Sequence, residues 1–87
     1  MRFLFFEPFC KIAGREITIR IDRPVALGAL IGRLPPGVLE MIPHGETVSD
    51  VALRAHVMFF ADGRLLKLKD AINVEDDIKV MLPAMGG

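Results

Sequence analysis

The side chains able to do chemistry in this sequence are few: one cysteine, Cys10, and two histidines, His44 and His56. A cysteine nucleophile needs a neighbouring base and an environment that lowers its pKa, and a short chain without cleft-forming insertions has little means to orient such a pair. Cys10 therefore reads as a structural residue. The two histidines and the cysteine are not spaced as CxxC or HxxxH, and Glu75-Asp76-Asp77 lacks the alternating oxygen ligands of a calcium loop. That acidic run reads as a solvated turn, and no metal site or bound cofactor is expected. Lys67 and Lys69 flank Leu68 as a small basic strip, too small to assemble the roughly 6–10 phosphate contacts of a nucleic-acid binder.

The end of the sequence has a different character. Gly86-Gly87 offers no side chain to pack and no element to cap. Two residues without Cβ atoms make a slender strand that can pass through a narrow channel and present a terminal carboxylate to groups supplied by another protein. At up to ~3.3–3.6 Å per extended residue, Ala84-Met85-Gly86-Gly87 reaches about 13 Å beyond the last ordered element. The reactive atom is then the Gly87 carboxylate, with Gly86 giving it access, and no independent catalytic site is expected.

A domain must hold that tail. Phe3-Leu4-Phe5-Phe6 is rich in strand-favouring residues and stops before Pro8, while Ile17, Ile19 and Ile21 alternate with Glu16, Thr18 and Arg20. The two segments predict a β-hairpin turning at Gly14-Arg15, with the isoleucines facing the core. From Val25 the period changes to that of a helix, with Leu27, Leu30, Ile31 and Leu34 on one face, Asp22 as N-cap and Pro24 in the first turn. Pro35-Pro36-Gly37 is expected to end this helix, and residues 35–50 to form an irregular loop anchored by a few apolar side chains. Val51 to Ala55 reads as one helical turn. Val57-Met58-Phe59-Phe60 and Leu65-Leu66 read as strands joined through Asp62-Gly63, a strong hairpin signal. Lys67 to Asp77 is a polar connection, and Ile78, Val80 and Leu82 predict a last strand ended by Pro83.

The order is β-β-α-loop-β-β-β, an α+β chain that fits a β-grasp: a mixed sheet packed on one principal helix. The 87 residues allow one domain over 1–83 and a flexible tail over 84–87. Eleven basic against 11 acidic residues leave a formal net charge of 0, which disfavours nucleic acid as a partner. The longest apolar runs fall short of the ~18 residues of a membrane span. Glu7 and Pro8 interrupt the apolar start too early for a signal peptide, so a cytoplasmic protein is expected.

These features resemble the small sulfur-carrier proteins of the ubiquitin-like superfamily, most of all the small subunit of molybdopterin synthase. The resemblance runs over nearly the whole chain. It rests on Phe6, Phe9 and Ala13-Gly14 after the first strand, Leu30 and Leu34 in the helix, and Ile72, Asp76, Ile78 and Val80 around the last strand. Pro83 ahead of Gly86-Gly87 completes it. It implies an E1-like adenylating partner that uses ATP and magnesium to make an acyl-adenylate of Gly87, and a sulfur donor that converts it to a thiocarboxylate. In the molybdopterin branch the loaded tail enters the large synthase subunit and gives sulfur to a pyranopterin precursor of the molybdenum or tungsten cofactor. Relatives serve thiamine synthesis, thiolation of transfer RNA, or attachment to proteins as a ubiquitin-like modifier. Two departures stand out: Glu75 replaces the glycine usual before Asp76, which predicts either a strained position of positive φ or a local rearrangement, and Leu82-Pro83-Ala84 replaces Pro-Pro-Val.

Docking is expected on the exposed side of the sheet, where strands apolar on both faces supply a core side and a binding side. The candidates are Met81 and whichever of Phe59 and Phe60 points outward, joined by Phe6, Pro83 and Met85, with Arg64 and Lys79 at the rim.

Overall fold

The computed structural model describes residues 1–83. Strand β1 (Arg2–Phe5) pairs antiparallel with β2 (Glu16–Thr18), as Phe3 opposite Ile17 requires if both are to face the core. The connection is not a bare turn. After the cis Glu7-Pro8 peptide it winds into a helix, α1 (Cys10–Ala13), so Cys10 lies on a helical turn.

The predicted helix is shorter and begins later than its periodicity suggested. Val25–Ala26 is extended as β3, and α2 covers only Leu27–Ile31, burying Leu27, Leu30 and Ile31. Asp22 and Pro24 do not cap it. The first amides of α2 are satisfied by tertiary contacts instead: Leu27 donates to the Asp70 carbonyl at 2.9 Å and Gly28 to the Leu68 carbonyl at 3.0 Å. Backbone acceptors from a later segment thus take the place of a side-chain cap.

The segment 35–50 is more ordered than an irregular loop. Pro35-Pro36 starts a helix rather than only ending one, because proline at the first helical positions sacrifices no hydrogen bond. Helix α3 (Pro36–Leu39) buries Val38 and packs on α1 so closely that a Cβ at Gly37 would lie 2.5 Å from Ile12 Cγ2. Helix α4 (Asp50–Arg54) follows, its Ala52 amide capped by the Ser49 hydroxyl at 3.1 Å.

Strands β4 (Met58–Ala61) and β5 (Arg64–Leu65) form the hairpin expected around Asp62-Gly63. Both turn residues have positive φ, 53° and 72°, the combination that matches the twist of a two-residue hairpin. Within the polar connection lies one more short strand, β6 (Ala71–Ile72), which pairs with β3 in a separate two-stranded sheet. Glu75 causes no strain: among the described residues Asp62 is the one non-glycine with positive φ. The turn closes locally, with the Asn73 amide donating to the Asp76 carboxylate at 2.7 Å and the Asp76 amide to the Asn73 carbonyl at 3.1 Å.

The last strand, β7 (Asp77–Met81), enters the middle of the main sheet, whose order is β2-β1-β7-β4-β5. It runs parallel to β1 and antiparallel to β4. Ile78 and Val80 are fully buried, whereas Leu82 has left the strand and is exposed, contrary to its place in the alternating pattern. The helices cover one face of this sheet, giving the β-grasp arrangement. Phe3, Phe5, Phe9, Phe59, Leu27, Leu30, Ile78 and Val80 belong to one core, with the Phe3 and Phe59 rings meeting edge-on at 6.0 Å.

Phe59 is 1% exposed and belongs wholly to this core, so it is not a docking residue. Truncating it leaves a cavity beneath the sheet: Phe59→Ala is expected to cost about 3–5 kcal/mol in urea unfolding. Phe60→Ala, on the opposite face, is expected to cost no more than about 1 kcal/mol.

Candidate functional site

Strand alternation sends Phe3, Phe5, Ile78, Val80 and Phe59 inward, and so sends their neighbours outward. The register sets Met58 opposite Met81, and Phe60 opposite both Lys79 and Leu65, while Leu4 flanks Lys79 from the other side. Leu4, Met58, Phe60, Leu65 and Met81 are each partly exposed and form an apolar area on the outer face of β1, β7, β4 and β5. A shallow groove there is lined by Leu4, Phe60, Lys79 and Met81 and closed at one end by the Asp62-Gly63 turn. Lys79 puts a charge in the middle of this area, its stem free to lie along apolar neighbours while its ammonium stays in water.

At the other end of the same face the character is ionic. The Arg2 guanidinium donates from Nε to Asp77 Oδ1 at 2.9 Å and from Nη2 to Asp77 Oδ2 at 2.8 Å, a two-pronged pair. Its Nη1 reaches Glu16 Oε2 at 3.2 Å. The hydrogen bond from Arg2 is the main reason that the Asp77 carboxyl lies below the usual aspartate range, with desolvation opposing it and the charges of Arg2 and the N-terminus adding to it. The same bond raises the Arg2 pKa further above its already high value. Both side chains are nearly half exposed, so solvent screens the pair.

β7 carries this face directly to the C-terminal residues. Phe6 donates its amide to the Val80 carbonyl at 2.9 Å, so the chain leaving β1 stays beside the end of β7. Phe6 and Leu82, 46% and 47% exposed, and the half-buried Pro83 surround the point where the strand ends. Of the residues singled out from the sequence, Phe60, Met81, Phe6 and Pro83 are therefore gathered on the outer face or at the exit of β7. Met85, Gly86 and Gly87 lie outside the described residues.

Leu4, Met58 and Leu65 were not among the sequence candidates. Leu4 was readable, since it alternates with Phe3 and Phe5; Met58 and Leu65 depend on which face of β4 is the core, which local sequence leaves ambiguous. The Arg2, Asp77 and Glu16 cluster required knowing that the first and last strands are neighbours.

Elsewhere the chemistry-bearing side chains stay apart in role. Cys10 is a free, half-buried thiol on α1, and His44 holds the Ile42 carbonyl through Nδ1 at 3.1 Å. Among the described residues no cluster of histidine, cysteine and carboxylate side chains could hold a metal ion. Glu75-Asp76-Asp77 is divided between a turn and the Arg2 pair, with Asp76 bonding Asn73 and Asp77 bonding Arg2.

No family model and no curated protein matches this chain. Among solved structures, the crystal structure of SAMP1 from Haloferax volcanii is similar over 100% of this chain and 98% of that one, with a TM-score of 0.70 and 22% sequence identity. The likeness is one of fold: it corroborates the β-grasp.

The ion pair has a testable signature. Because the folded-state pKa of Asp77 is depressed, the pair's stabilisation is present above the ordinary aspartate pKa of about 3.9 and is lost as pH falls through the lower folded value. Arg2→Ala is expected to return the Asp77 carboxyl towards its ordinary range in an NMR pH titration. An unchanged Asp77 titration would show that the pair does not set it.

Proposed function

We propose that this protein is a ubiquitin-like carrier or modifier whose working atom is the Gly87 carboxylate, used by partner enzymes rather than by a catalytic site of its own. One observation carries the reading: the central strand of the sheet, β7, contributes Met81 and Lys79 to an exposed, largely apolar face and is the last strand before Gly86-Gly87 in the sequence. A partner seated on that face is in position to take up the tail. The β-grasp fold supports the same reading.

The chemistry asks little of this chain. Held by an E1-like adenylating enzyme with ATP and magnesium, the carboxylate of Gly87 attacks the α-phosphorus of ATP, forming an acyl-adenylate and releasing pyrophosphate. The activated carbonyl then exchanges AMP for an incoming nucleophile. If that is the sulfur of a donor persulfide, cleavage of its S–S bond by a further thiol leaves a thiocarboxylate on Gly87. If it is a thiol of the enzyme, the thioester formed passes the chain to a lysine amine as an isopeptide. The absence of Cβ atoms at Gly86 and Gly87 lets the tail enter a confined site in either case.

Within this reading, molybdopterin synthesis is the narrower proposal, with the large synthase subunit as second partner. It draws on Ile72, Asp76, Ile78 and Val80 and on Pro83 before the terminal glycines. Attachment to proteins, and sulfur delivery for thiamine or transfer RNA, use the same activated end. The shared fold with SAMP1 gives the broader carrier or modifier reading more support than the molybdopterin branch alone.

Pyrophosphate release in the presence of an E1-like enzyme and ATP tests the core of the proposal. Deleting Gly87 is expected to abolish it while leaving the unfolding midpoint unchanged; activation of the shortened chain at an equal rate would refute the mechanism. Met81→Asp is expected to raise KM about tenfold, ~1.4 kcal/mol, with kcat little changed, if the outer face is the docking surface. Intact-mass analysis with a sulfur donor separates the branches: replacement of one oxygen by sulfur marks a carrier, and a Gly87 isopeptide to lysine marks a modifier.

A further inference from the structure

At the centre of the outer face stands a lysine without a counter-ion. The register sets Lys79 between Leu4 of β1 and Phe60 of β4, with Met81 two residues along the same face. Strand alternation holds it there, because Ile78 and Val80 on either side are wholly buried and anchor β7 in the core. The nearby carboxylates do not neutralise it. Asp77 is taken by two prongs of Arg2 at 2.9 and 2.8 Å, and Glu16 by the same guanidinium at 3.2 Å. Asp62 lines the groove at its turn end, yet among the described residues neither it nor any other carboxylate forms an ion pair with Lys79.

In the free protein this arrangement costs little, because Lys79 is exposed and its ammonium stays hydrated above an apolar stem. Docking changes that. A partner that covers Leu4, Phe60 and Met81 covers Lys79 as well, and an ammonium stripped of water with no opposing charge is strongly disfavoured. A carboxylate set within the partner's apolar surface supplies that charge, and it penalises every partner that lacks one.

We propose that the outer face receives a partner surface that is apolar with one aspartate or glutamate at its centre, and that Lys79 pairs with this carboxylate and so selects the partner. The proposal rests on the carrier or modifier reading and adds the chemistry of the partner at that same face. An entirely apolar partner is disfavoured by the desolvation of Lys79. A phosphate-rich polymer is a poor occupant, because one lysine among apolar side chains meets few phosphates. A second copy of this chain, related by a two-fold axis through the centre of the face, sets Lys79 against Lys79.

The discriminating substitution is Lys79→Met, which keeps an unbranched stem of similar length and removes the charge. The probe is an E1-like enzyme that activates the unaltered full chain, with ATP and magnesium present and pyrophosphate release as the readout. Lys79→Met is expected to raise KM about tenfold with kcat little changed, because it leaves the partner's carboxylate covered and unpaired. Lys79→Glu should raise KM further, and Lys79→Arg should stay within about threefold of the unaltered chain. A KM that falls or stays the same in Lys79→Met overturns the proposal, since a purely apolar partner gains from the added apolar surface. Met81→Asp separates the two levels: a raised KM there with none in Lys79→Met leaves the docking face standing without the carboxylate, whereas no change in either variant removes the docking face as well. Zero-length carbodiimide coupling, which joins an amine to a carboxylate in contact, should link Lys79 to an aspartate or glutamate of the enzyme. Coupling through Lys67 or Lys69 and not Lys79 would count against it. The amide spectrum of each variant checks its fold, and a doubled sedimenting mass of the free chain would assign the face to a second copy instead.

Discussion

The parallel pairing of β1 with β7 is the contact on which the rest depends. It sets Phe3 beside Ile78 and Phe5 beside Val80, and so joins the two ends of the described chain through the centre of the core. Closing a loop of this length carries an entropy cost whose length-dependent part is about 4 kcal/mol. No short-range signal offsets it. The compensation comes from burying aromatic and aliphatic side chains on one face, and from polar contacts at the strand ends: the Arg2 and Asp77 pair, and the Met1 amine on the Val74 carbonyl at 2.7 Å. Once β7 is held centrally, β4 pairs on its free side and the helices have a sheet to cover.

A central C-terminal strand has a second consequence. Its inward residues are as buried as any in the protein, which fixes the strand, while its outward residues are displayed in the middle of the open face. Lys79 and Met81 thus inherit a rigid mounting from Ile78 and Val80. Small helices suffice on the covered side because they are held by tertiary bonds, as the Leu27 and Gly28 amides show in reaching the carbonyls of Asp70 and Leu68. With α2 only five residues long, propensity alone would not maintain it.

The two ends of the outer face differ in chemistry. The outer face of β1, β7, β4 and β5 is apolar around Lys79 at one end and ionic at the Arg2 and Asp77 pair at the other. At the ionic end Arg2 and Asp77 are each other's partners, whereas Lys79 has no carboxylate partner among the described residues.

What the sequence determined by itself was local: the alternation of Phe3 and Phe5, of Ile78 and Val80, the turn at Asp62-Gly63, and the helical spacing of Leu27, Leu30 and Ile31. These depend on period and on backbone preference, which neighbouring residues carry. The glycine pair at the end was equally plain. Only tertiary structure decided that Val25–Ala26 is a strand, since its partner Ala71–Ile72 is remote, and that Pro36 opens a helix against Ile12. It also decided between Phe59 and Phe60. Two adjacent phenylalanines in a strand must face opposite ways, but which one is buried depends on the register of β4 against β7, and register is a property of two strands that no single segment encodes.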